Sequence, residues 1–211
     1  MKQILVYGDS MSWGIIPGTR KRLTFEKRWP GIMEEELKAC GKSYRILENC
    51  LNGRRSVWAD PHKEGRDGSV GLAQVVEMHS PLTLVIIMLG CNDFQRAHQN
   101  NAWLSAQGIA RLISIIRQAP IEPEMVSPDI LVVAEPAIVQ PNGDMAEKFR
   151  DAEKKSLGMI EAYHAMAQEQ GVHFMDANEL ISCSTIDGIH LEESEHSILG
   201  KSMAARVQEI L

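Results

Sequence analysis

Short apolar runs alternate along the chain with longer stretches whose apolar residues recur at helical spacing. The first run, Ile4-Leu5-Val6-Tyr7, stops at Gly8-Asp9 and predicts a buried strand. Residues 44–47, 130–134 and 172–175 predict three further strands. The run over 82–89 is apolar except for Thr83, the pattern of a central strand covered on both faces. Helices are predicted between the strands, over 29–39, 70–79, 102–118 and 193–211. Trp29, Ile32, Met33 and Leu37 mark the apolar stripe of the first. Residues 145–170 read as one helical region, weakened at Gly158 and closed by Gly171 as a C′ residue. Residues 52–68 form a polar, glycine-rich loop. This alternation predicts a flavodoxin-like three-layer α/β/α sandwich built on a five-stranded parallel sheet, with one domain over residues 1–211.

Composition narrows the class without naming a chemistry. A length of 211 residues suits one sizeable core. The formal net charge of −6 argues against nucleic acid or an anionic membrane as the main partner. The basic clusters Arg20-Lys21-Arg22 and Arg54-Arg55 read as solvated loop charge. Cys40, Cys50, Cys91 and Cys183 are scattered and form no C-x-x-C pair, so neither a disulfide framework nor a zinc site is expected. The first residues run straight into a strand with no secretory pattern, and no apolar run is long enough to span a membrane. The expectation is a reduced, cytoplasmic protein.

Candidate chemistry lies just past the strands. Gly8-Asp9-Ser10-Met11-Ser12-Trp13-Gly14 follows the first, Gly90-Cys91-Asn92-Asp93 follows the third, and Asp187-Gly188-Ile189-His190 precedes the last helix. A parallel sheet brings segments at its carboxyl edge together. A serine hydroxyl becomes a nucleophile when a histidine takes its proton, and a carboxylate on the other ring nitrogen fixes the tautomer. Ser10, His190 and Asp187 can fill those roles. Each also has a bland reading. Ser10 alone could cap a helix, Asp9 and Asp93 suit turn anchors, and Cys91 suits a small buried filler as well as a thiol nucleophile. The other histidines, His62, His79, His98, His164, His173 and His196, fall on loops, a strand and helix faces. Neither Asp60 with His62 nor Glu192 and Glu193 with His196 makes an H-E-x-x-H spacing, so no metal and no cofactor is expected.

These segments resemble the blocks of the SGNH (GDSL) hydrolases. Gly8-Asp9-Ser10-Met11 is similar to block I with methionine for leucine, Asn52-Gly53 to block II, Gly90-Cys91-Asn92-Asp93 to the G-x-N-D of block III, and Asp187-Gly188-Ile189-His190 to the D-x-x-H of block V. Gly-Asp-Ser-x-x-Trp-Gly and Asp-Gly-Ile-His look most like the arylesterase and acyltransferase branch. The resemblance implies a triad of Ser10, Asp187 and His190, with an oxyanion hole of the Ser10 and Gly53 backbone N–H groups and the Asn92 amide. It also implies short-chain acetyl or aryl ester substrates, acyl transfer to alcohols as a second activity, and a homo-oligomer. Trp13, Phe94, Ile189 and Leu191 are candidates for the pocket wall by their places beside the blocks. Residues 17–27 are a candidate contact or lid loop. A carbohydrate O-deacetylase or a lysophospholipase/thioesterase would share this triad. A flavodoxin-like nucleotide-binding module is the alternative from another class, though the first strand–helix turn lacks G-x-G-x-x-G.

Overall fold

The computed structural model of the chain describes residues 2–211. Five strands form one parallel sheet: β1 (Lys2–Gly8), β2 (Tyr44–Cys50), β3 (Leu84–Met88), β4 (Asp129–Ala134) and β5 (His173–Asp176), in the order β2-β1-β3-β4-β5. Every residue of β3 is fully buried, as its unbroken apolar run requires. The edge strands β2 and β5 are only partly covered. The order reverses between β1 and β3, and open α/β sheets place their crevice at such a switch point.

Two helical layers cover the sheet. In one, α2 (Trp29–Ala39) packs along α7 (Glu193–Ile210). The buried positions of α7, His196, Leu199, Gly200, Met203, Ala204 and Val207, recur at intervals of three and four and form a single face. In the other layer α4 (Ala102–Arg117) packs on α3 (Leu72–His79) and on α6 (Met159–Gln170). A single turn, α1 (Ser10–Trp13), follows β1 directly. No helix among the described residues is long and apolar enough to cross a membrane.

The sequence expectation fails in two places, and both bear on the site. Residues 145–170 are not one helix. A 3-10 turn at Gly143–Met145 and the single turn α5 (Ala152–Lys155) precede α6, which starts after Gly158 at φ 80°. Tertiary contacts override helical propensity there. Phe149 and Ala152 are buried, and Lys155 Nζ donates to the carbonyls of Phe94, Gln95 and His98, clamping this segment onto the turn after β3.

Arg54 and Arg55 are not solvated loop charge either; their side chains are buried because the fold supplies acceptors. Arg54 donates to the carbonyls of Gly8 and Asn49, and its guanidinium lies 3.9 Å from the centre of the Tyr7 ring. Arg55, 1% exposed, pairs with Asp60 at 3.0 Å and donates to Gln95. Together they fasten the 52–68 loop across the carboxyl ends of the strands.

Arg28 makes the corresponding tie on the other flank. It is nearly buried, donates to both carboxylate oxygens of Glu48 on β2 at 2.9 and 2.6 Å, and also donates to the Leu23 carbonyl. Removing one partner of such a pair strands the other charge. Arg28→Ala is expected to lower the unfolding free energy by about 2–4 kcal/mol. Urea titration checks this, and a loss below about 0.5 kcal/mol, the scale of exposed pairs, contradicts it.

Candidate active site

Three chain segments meet at the switch point. Ser10 is the first residue of α1, immediately beyond β1, and its side chain is nearly buried. His190 Nε2 lies 3.1 Å from Ser10 Oγ, and His190 Nδ1 lies 2.7 Å from Asp187 Oδ2. A carboxylate only accepts, so Nδ1 carries the proton and Nε2 is the free base facing the hydroxyl. The structure thus brings together the serine, histidine and aspartate singled out from sequence.

Asp187 is held as an ion by its own turn. Its Oδ1 accepts from the backbone N–H groups of Ile189 and His190, and its Oδ2 accepts from His190 and from the Gly18 N–H. Burial alone would raise its pKa, but the hydrogen bonds from His190 and Ile189 hold it well below the usual carboxylate range. Gly188 makes this turn at φ 82°, and a Cβ there would lie 2.4 Å from the Gln140 carbonyl oxygen. The 17–27 loop is therefore tied to the triad acid through Gly18.

The neighbouring donors come from two other strand ends. Gly53 and Asn92 line the same cleft as Ser10 and His190. Gly53 has φ 82°, a conformation that disfavours side chains, so the turn itself calls for glycine here. Among the described residues, neither the Ser10 nor the Gly53 N–H has a protein acceptor. Asn92 is fixed at both ends of its amide. Its Nδ2 donates to Asp9 Oδ2 at 2.5 Å, and its Oδ1 accepts from Gln95 Nε2. The second Nδ2 hydrogen remains for the cleft.

Asp9 and Asp93 anchor these turns. Asp9 Oδ1 accepts from the Met11 N–H while Oδ2 takes Asn92, so one carboxyl joins the Ser10 turn to the Asn92 turn. Asp93 accepts from the Ser56 N–H and from the hydroxyls of Ser56 and Ser105. Burial pushes the pKa of each up to about 6.

Sequence reasoning missed one residue. Glu135 directly follows β4 and is fully buried, and its Oε2 accepts from the Cys91 N–H. Its Oε1 meets no protein donor. Burial, with the charges of Asp9 and Asp93 adding to it, drives the Glu135 pKa far up, so Glu135 holds its proton. The available signal was a lone acid just past a buried strand at the working edge of the sheet.

The pocket-wall residues expected from sequence lie elsewhere. Phe94, Ile189 and Leu191 are packed into the hydrophobic core, because the strand-end turns direct them inward. The Trp13 ring is stacked beneath Arg22, 4.5 Å from its guanidinium. The apolar wall of the cleft is formed instead by Ile15, Met145 and Phe149, the last two from the segment expected to be helical. The cleft itself is about 40 Å³. Cys91 is buried with its thiol pKa driven far up, first by desolvation and then by Glu135, so it is no thiolate. His196 is buried on α7 and accepts from the Trp29 N–H, away from Ser10. Among the described residues, no three His, Cys, Asp or Glu side chains are placed to hold a metal ion.

A serine, an oriented histidine and an ionised aspartate, grouped beside free N–H donors on an α/β switch point, are the set of groups that serine hydrolysis requires. The GDSL-like lipase/acylhydrolase family matches residues 6–196, and the chain belongs to that family. It is an esterase of the GDSL type. Among solved structures it is similar to the inhibitor-bound aryl esterase of M. smegmatis, at 29% identity and a TM-score of 0.94. It is likewise similar to Est24, a carbohydrate acetylesterase from Sinorhizobium meliloti, at 32% identity and a TM-score of 0.93. A putative arylesterase from Agrobacterium tumefaciens str. C58 is 35% identical with a TM-score of 0.91. All three comparisons cover 100% of both chains. No curated protein sequence matches.

The neutral Glu135 leads to paired expectations. Glutamine reproduces the acceptor for the Cys91 N–H without a charge, so Glu135→Gln should keep kcat within about 3-fold, whereas Glu135→Ala should lower kcat about 10-fold with little change in KM, by loosening the turn that carries Asn92. The folded state holds a proton that the unfolded chain loses near pH 4.3, so this contribution to stability fades as pH rises towards the folded pKa. From about pH 5 upward the wild type should lose stability more steeply with rising pH than Glu135→Gln. Denaturant melts across that range check it, and parallel slopes contradict it.

Proposed function

We propose that the chain hydrolyses short-chain carboxylic esters through an acyl-enzyme on Ser10. The observation that carries this is the unbroken line Ser10 Oγ–His190–Asp187 opening on a cleft of about 40 Å³. His190 Nε2 takes the Ser10 proton as Oγ attacks the ester carbonyl. The Asp187 carboxylate stabilises the imidazolium. The oxyanion is met by the Ser10 and Gly53 N–H groups and the second Nδ2 hydrogen of Asn92, donors preorganised in a shielded site. His190 then returns the proton to the leaving alkoxide, and water repeats the sequence to release the acid.

The cleft of about 40 Å³ at Ser10 favours an acetyl group there, and a second pocket of about 280 Å³ against His190 leaves room for the rest of an ester. Carbohydrate O-deacetylation is the second reading, favoured by the likeness to the S. meliloti carbohydrate acetylesterase. Acyl transfer is the same first half-reaction completed by an alcohol in place of water. Self-association is a separate proposal, which a single-chain mass at micromolar concentration in light scattering would remove.

Hydrolysis of p-nitrophenyl esters from acetate to octanoate tests the main reading. Acetate should exceed octanoate at least about 10-fold in kcat/KM, and Ser10→Ala should lower acetate turnover by about 10³ or more. Equal turnover by the two proteins would remove Ser10 as the nucleophile.

A further inference from the structure

The charge at the mouth of the cleft runs against the charge of the chain. The net charge is −6, yet Arg20, Lys63 and Lys148 line the Ser10 cleft with Asp60 as the only carboxylate beside them. An adjoining groove of about 620 Å³ shares Asp60, Lys63 and Lys148 and adds Arg55 and Arg96. Asp60 is occupied by Arg55, and Arg96 is paired with Glu147. Among the described residues, Arg20, Lys63 and Lys148 have no carboxylate within ion-pair distance.

The cations also press on one another. Desolvation lowers the Lys63 pKa first, and the charges of Arg66 and Arg20 add to it. Lys148 is lowered by desolvation too, and Arg55 and Lys63 push the same way. Asp60 offsets part of this charge, but cations outnumber carboxylates at the entrance, and such an excess at a concave site raises the local concentration of an anion. The cleft at Ser10, about 40 Å³, suits an acetyl group, and Lys63 and Lys148 lie on the side of the groove of about 620 Å³, away from the pocket of about 280 Å³ lined by Asp144 and Asp187. An anion held in that groove therefore belongs to the alcohol portion.

We propose that the site selects acetyl esters whose alcohol portion bears an anionic group, a carboxylate or a phosphate, held by Lys63 and Lys148 with Arg20 at the rim. This selectivity rests on the esterase reading above and specifies its substrate class. The anion is recognised by point charges, so carboxylate and phosphate both fit, and direct comparison of the two separates them.

The test compares 4-acetoxybenzoate and 4-acetoxyphenyl phosphate with the neutral methyl 4-acetoxybenzoate, each rate divided by that ester's own hydroxide-catalysed rate. At about 20 mM salt the better anionic ester should exceed the neutral one about 10-fold in kcat/KM, and the advantage should shrink at about 0.5 M salt as screening shortens the reach of the lysines. In Lys63→Ala/Lys148→Ala the ratio should fall towards unity, with neutral-ester turnover reporting that the triad is intact. A wild-type ratio at or below unity, or a ratio unchanged in the double variant, overturns the proposal while leaving the esterase reading standing. Turnover of none of the three esters removes the esterase reading and this proposal with it.

Discussion

One buried carboxyl organises the catalytic edge. Asp9 directly follows β1, and its oxygens bind one turn each: Oδ1 takes the Met11 N–H and orients the Ser10 turn, Oδ2 takes the Asn92 amide. Ser10, the candidate nucleophile, and Asn92, a candidate oxyanion donor, are thus set relative to each other by a single side chain on a rigid strand end. Such a carboxyl is costly to bury. Its burial is made tolerable by the donors around it, the Met11 N–H and the Asn92 amide. Glu135, at the end of β4, takes the Cys91 N–H of the same turn after β3 that carries Asn92.

The two acidic groups of the site are tuned in opposite directions by different surroundings. Asp187 sits in a turn rich in N–H donors and stays ionised, as a partner for an imidazolium must. Glu135 sits among other acids with one N–H donor and stays neutral. Neither role could be exchanged. A neutral Asp187 would lose the His190 tautomer, and an ionised Glu135 would face Asp9 with like charge.

Much of this was legible in the chain. The buried run of β3, the helical stripe of α2 and the C′ glycine at 171 are local signals, and local signals survive folding. Ser10, Asp187 and His190 were legible through the block motifs that resemble the GDSL hydrolases, and the fold brings the three side chains together. What stayed hidden depends on contacts between distant segments. Lys155 caps carbonyls 57 to 61 residues away, so a stretch with helical spacing becomes the wall of the cleft. Arg54 and Arg55 look like surface charge until Gly8, Asn49, Gln95 and Asp60 surround them. Phe94, Ile189 and Leu191 were near the site in sequence, but the direction of a side chain leaving a tight turn is not readable from spacing.

The central claim is that His190, held by Asp187, makes Ser10 nucleophilic. Its most direct measurement is phosphonylation by a small p-nitrophenyl alkylphosphonate, followed by intact mass and peptide mapping. One adduct per chain is predicted, on the peptide carrying Ser10, with the rate lowered about 10³-fold or more in His190→Ala. An adduct on another residue, or an unchanged rate in His190→Ala, would contradict the account.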